Sequence, residues 1–173
     1  MTGRPRRLVL LRHAKAEPGG VADELRRLTA VGTRQAAAVG ARLRDGLVPE
    51  LALVSSAVRT RETWEHLRAA LGDEPEPEVV VSDALYGAHH LEVVDLLRAV
   101  DDRVRTVLVV GHEPAMSAAA AHLTGEGEPA HVAQVRSGLS TAAFAVLELP
   151  GPWSELDRRG AALRDVVRPA WDE

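Results

Sequence analysis

An arginine and a histidine stand side by side at Arg12-His13, directly after the apolar run Leu8-Val9-Leu10-Leu11. Two more polar sets follow apolar runs in the same way. Ser55-Ser56-Ala57-Val58-Arg59-Thr60 comes after residues 51–54, and Gly111-His112-Glu113-Pro114 comes after Val107-Leu108-Val109-Val110. A neutral imidazole can attack phosphorus, and a guanidinium grips phosphate oxygens through its fork of donors. A phosphoryl transition state spreads negative charge over three equatorial oxygens, so its catalysis is mostly positioning and electrostatic stabilisation. Two guanidiniums and one imidazole can hold those oxygens while the other imidazole attacks in line. Helix N-termini after Ser56 and Glu113 would add backbone donors. The cations here are side chains, so neither a metal nor another cofactor is expected.

One such set means little; three matter if the fold brings them together. The chain alternates short apolar runs with helical periods, which points to an α/β fold with a largely parallel sheet covered on both faces. Strands are expected at 7–11, 51–54, 79–81, 105–110, 142–149 and 161–167. The last two follow each other closely, which suggests an antiparallel edge there. Helices are expected at 30–44, capped by Thr29 and closed by Gly46, then at 57–71, at 91–100 and in a further segment with Pro114 in its first turn. Val31, Ala38, Val39 and Leu43 should form the inner face of the first, and Trp64 and Leu67 that of the second. Residues 73–78 read as an acidic, proline-broken connection, and residues 125–134 as a polar loop without a period. In a parallel sheet the three polar sets lie at equivalent strand ends, where open α/β sheets bind ligands.

The bulk composition narrows the function further. With 173 residues, 46% hydrophobic and 27% charged, the chain reads as one globular domain over 1–173, with a short basic tail at 1–6. A formal net charge of −4 gives no general attraction to nucleic acid or anionic lipid, and five aromatic residues build no base-stacking platform. There is no cysteine, which excludes disulfides, thiolate metal sites and cysteine nucleophiles. The apolar run after Arg7 is too short for a signal peptide and no run is long enough to span a bilayer, so a cytoplasmic protein is expected.

The order and spacing of Arg12-His13-Ala14, Ser55-x-x-x-Arg59 and Gly111-His112-Glu113-Pro114 resemble the histidine phosphatase superfamily, which includes the phosphoglycerate mutases and acid phosphatases. Lys15-Ala16-Glu17, Leu28-Thr29-x-x-Gly32-x-x-Gln35-Ala36, Leu85-Tyr86 and the run Met116-Ser117 after Pro114 are similar to its SixA-like phosphohistidine phosphatases. The likeness runs from about Leu8 to Leu149. It implies a three-layer α/β/α sandwich of the phosphoglycerate mutase kind. It also implies that His13 is the nucleophile, transiently phosphorylated, and that Arg12, Arg59 and His112 complete the phosphate pocket.

The chain departs from the family in three places. The segment after the third strand is short, as in SixA-like members, and carries no insertion with a carboxylate acid; Asp83, His89 and Glu92 are the candidate proton donors there. Ser56 stands where the family often has proline. Only Thr141 remains of a Pro-Thr pair, a weak candidate for substrate contact together with Lys15. Arg61, His66 and His122 are expected on helix surfaces, with Glu62-His66 as a surface pair. The leading expectation is a metal-independent phosphatase acting on phosphohistidine in a protein such as a histidine phosphotransfer domain. A small-molecule phosphomonoesterase is the alternative, and a non-catalytic phospho-ligand module the third reading. The oligomeric state is left open.

Overall fold

A computed structural model describes residues 4–73 and 75–171. The chain runs β1 (Arg6–Arg12), α1 (Ala30–Leu43), β2 (Leu51–Ser55), α2 (Val58–Ala69), β3 (Glu78–Ser82), α3 (His90–Arg98), β4 (Thr106–Gly111), α4 (Ala115–Leu123), β5 (Thr124–Gly127), α5 (Pro129–Ser137), β6 (Phe144–Leu149) and β7 (Ala161–Val167). The strands form one sheet in the order β3-β2-β4-β1-β6-β7-β5. β1, β2, β3 and β4 are mutually parallel; β6 is antiparallel to both β1 and β7.

β1 shows why the sheet is covered on both faces. Leu8 and Leu10 join Val107 and Val109 in a core shared with α3 and α4, while Val9 and Leu11 join Leu108 and Val110 in a core shared with α1 and α2. Alternate residues of a strand face opposite ways, so an uninterrupted apolar run is what a central strand between two helical layers requires. Each fully buried leucine of this run contributes about 1.5–3 kcal/mol. The result is the three-layer α/β/α architecture.

Several elements differ from the sequence expectation, each for a physical reason. The buried face of α1 runs through Gly32, Gln35, Ala36, Val39, Gly40 and Leu43, so Val31 and Ala38 flank it and are only half buried. The centre is small because α1 lies tight against α2: a Cβ on Gly40 would strike the Leu67 carbonyl oxygen. Residues 125–134 are not a featureless loop but hold β5 and most of α5. β5 carries two glycines in four residues, and α5 buries only Val135, so neither shows a period; Pro129 at the first turn was the signal present. Pro114 sits at the N-cap of α4 rather than inside its first turn. β7 is antiparallel to β6 as expected, yet the edge strand there is β5, parallel to β7. Arg6 belongs to β1 and not to a tail; its guanidinium donates to the Gly151 and Asp102 carbonyls. Residues 1–3 and Glu74, in the expected tail and acidic connection, lie outside the described residues. Trp153 and Leu156 pack into the core.

The α1–α2 contact gives a stability prediction. In an exposed helix Gly→Ala gains about 1 kcal/mol of helix propensity. At Gly40 the added methyl meets backbone, which cannot rotate away. Overpacking of this kind costs about 1–3 kcal/mol, so Gly40→Ala should lose net stability, read as a lower urea midpoint. An unchanged or raised midpoint would disprove the close approach.

Candidate active site

β1, β2 and β4 end together, and their parallel registers carry Arg12-His13, Ser55-Ser56 and Gly111-His112 to one rim. The His13 N–H donates to the Gly111 carbonyl at 3.0 Å, continuing the ladder one residue past β1. The His13 and His112 ring centroids are 5.5 Å apart. His13 is only 8% exposed and Arg59 6%.

Each of the four side chains is held by a different part of the chain. The His13 Nδ1 lies 2.7 Å from the Ala14 carbonyl oxygen. A carbonyl only accepts, so Nδ1 carries the hydrogen and the Nε2 lone pair is left free. His112 Nε2 shares a 2.7 Å hydrogen bond with the Ser55 hydroxyl. Arg12 Nη1 donates to the Leu139 carbonyl at 2.9 Å. Arg59 Nη1 donates to the Asp23 carbonyl at 2.7 Å, and its Nη2 to the Asp23 carboxylate at 3.1 Å. Among the described residues, Arg12 Nε, Arg59 Nε and His112 Nδ1 are buried polar atoms without a protein partner. Buried polar atoms are rarely left so, and here three of them belong to one cationic rim, a disposition suited to an anion.

The surrounding polar groups anchor the loop after β1. The Ala14 N–H donates to Thr63 Oγ1, which in turn donates to the Arg59 carbonyl. The Lys15 N–H donates to Gln35 Oε1, and the Lys15 carbonyl accepts from the Thr29 N–H. A Cβ on Gly32 would collide with that carbonyl. The Leu28-Thr29-x-x-Gly32-x-x-Gln35 spacing is therefore a clamp on the backbone beside His13. Glu113 accepts from the Ser117 N–H and hydroxyl and from the Leu139 N–H, joining α4 to the loop that holds Arg12.

Electrostatics follows burial. The His13 pKa falls to about 3, chiefly from loss of solvent; its bond to Ala14 opposes this, and His112, Arg59 and Arg12 deepen it. That of His112 falls to about 4, from burial and then from Arg59. Asp23 is driven down to about 2, first by the Tyr86 hydroxyl and then by Arg59, and stays ionised.

The other candidates are placed differently. His89 Nδ1 accepts from the Leu91 N–H and Glu92 accepts from the His89 N–H, so both polar groups cap α3. Asp83 is exposed, in the short turn Asp83–Leu85. Thr141 Oγ1 accepts from Gln35 at 3.4 Å beside Ala142, whose N–H reaches the Arg12 and His13 carbonyls. The Lys15 side chain is exposed, as is Arg61. Glu62 takes Arg27 and the Leu28 N–H rather than forming a surface pair with His66. Ser55, Asp23 and the hydroxyl of Tyr86 were not singled out by sequence reasoning. Ser55 stood inside a quoted motif, but Asp23 sits in an irregular loop without periodicity.

With this geometry in place, residues 8–92 match the sequence model of the Histidine phosphatase superfamily (branch 1), and the chain belongs to that superfamily as a SixA-like phosphatase. An uncharacterised protein of Mycobacterium leprae is 36% identical over 160 residues, covering 88% of this chain and 96% of that one. A phosphohistidine phosphatase SixA homologue of Haemophilus influenzae is 31% identical over 131 residues, covering 70% and 79%. A solved structure of a proposed phosphohistidine phosphatase SixA of Nakamurella multipartitia, 36% identical, superposes with a TM-score of 0.80 over 98% of this chain and 99% of that one.

The two buried imidazoles set the acid limb of stability. Between the ordinary value of 6.5 and the lowered values, the unfolded chain binds protons that the folded site refuses. Stability therefore rises with pH through this window, is complete above about 6.5, and is lost on acidification. His13→Gln should flatten the fall in melting temperature between about pH 7 and pH 4. A slope identical to wild type would contradict the burial of a neutral ring.

Proposed function

We propose that the protein hydrolyses phosphohistidine in a protein partner, with His13 as the nucleophile. His13 Nε2 attacks phosphorus, forming one P–N bond as the P–N bond to the substrate imidazole breaks. Water then attacks phospho-His13, releasing orthophosphate and restoring the neutral ring. Arg12 and Arg59 hold the equatorial oxygens. The Ser55 hydroxyl donates to His112 Nε2, so that His112 Nδ1–H faces the phosphoryl group as a donor; Ser55 is thus a positioning residue.

One observation carries the choice of substrate. The carboxylate that reaches Arg59 is Asp23, and Tyr86 and Arg59 keep it ionised. An ionised carboxylate is no proton donor. An alkoxide leaving group needs one, a contribution typically of about 10²–10⁴ in rate. The imidazole of phosphohistidine departs readily once its distal nitrogen is protonated from solvent. The names of the Haemophilus and Nakamurella relatives support the same reading.

Hydrolysis of a phosphorylated histidine phosphotransfer domain, compared with an alkyl phosphate such as glycerol phosphate, tests the proposal. The phosphoprotein should react faster by about 10² or more, and His13→Ala should abolish turnover of both. Comparable rates on the two substrates, or an active His13→Ala protein, would overturn it. Ser55→Ala should lower kcat about tenfold or more with KM and melting temperature little changed, as expected when one pocket donor is misoriented. Unchanged kcat would remove Ser55 from the mechanism.

A further inference from the structure

Apart from the rim that holds His13, a concavity of about 760 Å³ opens between α3, α4, α5 and the loop before β7. That volume falls in the range of small-molecule sites. Leu91, Ala118 and Ala121 give it an apolar lining, and the His90 and His122 rings, 5.4 Å apart, add flat surface with polar edges. Burial, with His89 and His122 beside it, holds His90 below the usual range, so its ring is an uncharged surface at neutral pH.

The rest of the lining is cationic. Arg136 comes from the last turn of α5, and Arg158 and Arg159 from the loop before β7. Among the described residues none of the three guanidiniums meets a carboxylate. Glu126, the acidic residue of this lining, is turned to Arg164 at 3.8 Å. The chain carries 25 acidic residues against 21 lysines and arginines. Three unpaired arginines in one concavity run against that balance.

The backbone at Arg159 supplies an independent observation. Its φ is 58°, a left-handed conformation that costs a non-glycine residue about 1–2 kcal/mol. The Arg159 N–H donates to the His122 carbonyl at 2.9 Å, and its own carbonyl lies so close to Gly125 that a Cβ there would not fit. Gly160 follows directly and would adopt such a φ without strain. Strain of this kind persists where the surroundings over-determine it, commonly at ligand sites.

We infer that this concavity is a second anion site. It binds a small molecule with a flat, apolar body and a di- or triphosphate tail, of the nucleoside polyphosphate type. The body lies on the alanine and imidazole surface. Guanidiniums from two separate elements take successive phosphates, more charge than one phosphate needs.

Calorimetric titration of the full-length protein with ATP, pyrophosphate and adenosine tests this. ATP should bind most tightly, because only it uses both surfaces. R136E/R158E should weaken ATP by about tenfold or more, the loss of one or two charge-assisted hydrogen bonds. Arg159→Gly removes the third guanidinium while relieving the backbone; it should weaken ATP without lowering the melting temperature, which separates a binding role from a structural one. Arg59→Ala, which disables the His13 pocket, should leave ATP affinity within about twofold. No binding of ATP, loss of binding in Arg59→Ala, or wild-type affinity in both R136E/R158E and Arg159→Gly would each overturn the inference.

Discussion

The parallel ladder between β1 and β4 is the constraint on which the rest of the molecule depends. Leu11 pairs with Val110 and Arg12 with Gly111, and the ladder bond from His13 to Gly111 fixes the next step. A slip of one residue would move every β1 side chain to the opposite face. Leu8 and Leu10 would exchange cores with Val9 and Leu11, and the two imidazoles would no longer meet. Packing therefore fixes the register: the four buried apolar residues are bounded by Arg7 and Arg12, and a slip would draw one of these guanidiniums into the cores. The chemistry inherits its precision from the hydrophobic effect.

The electrostatics of the rim follows from the same burial. Two guanidiniums and two imidazoles crowd one rim of the sheet, and removal of water keeps the imidazoles neutral beside permanent cations. A neutral imidazole can act as a nucleophile; a protonated one cannot. The guanidiniums are steadied by the Leu139 carbonyl and by Asp23, yet both keep Nε unpartnered. The site is thus built to favour an anion while refusing a proton, two demands that a solvated cluster of the same residues would not meet together.

Much of this arrangement was legible in the sequence because strand periodicity and strand-end chemistry are local signals. Val107 to Val110 can hardly be anything but a central strand, and His112 comes directly after the glycine that ends it. Thr29 caps α1 as its type and position suggest. What escaped was set by tertiary contact. Gly40 lies on a buried face because Leu67 leaves no room, a fact written on another helix. His89 and Glu92 looked like proton donors by type, but their spacing of three residues serves the start of α3. Asp23 gives no signal in an irregular loop; only the folded path of residues 17–28 brings it to Arg59. β5 and α5 were missed because glycine and a thin apolar face leave little period to read.

The contact between Asp23 and Arg59 has a consequence for selectivity. A carboxylate already rests on the Arg59 guanidinium, so under the proposed reaction entry of a phosphoryl group would be an exchange of one anion for another. What counts is the difference between the two, weighed at the same cation. A dianionic phosphoryl group outweighs a single carboxylate charge, whereas a carboxylate metabolite or a sulfate monoester only matches it. The same rivalry would act on the way out, with Asp23 at hand to reclaim Arg59 as orthophosphate departed. On that proposal an acidic residue at the mouth of a cationic pocket would work as a threshold, admitting ligands by their charge before any other feature is read.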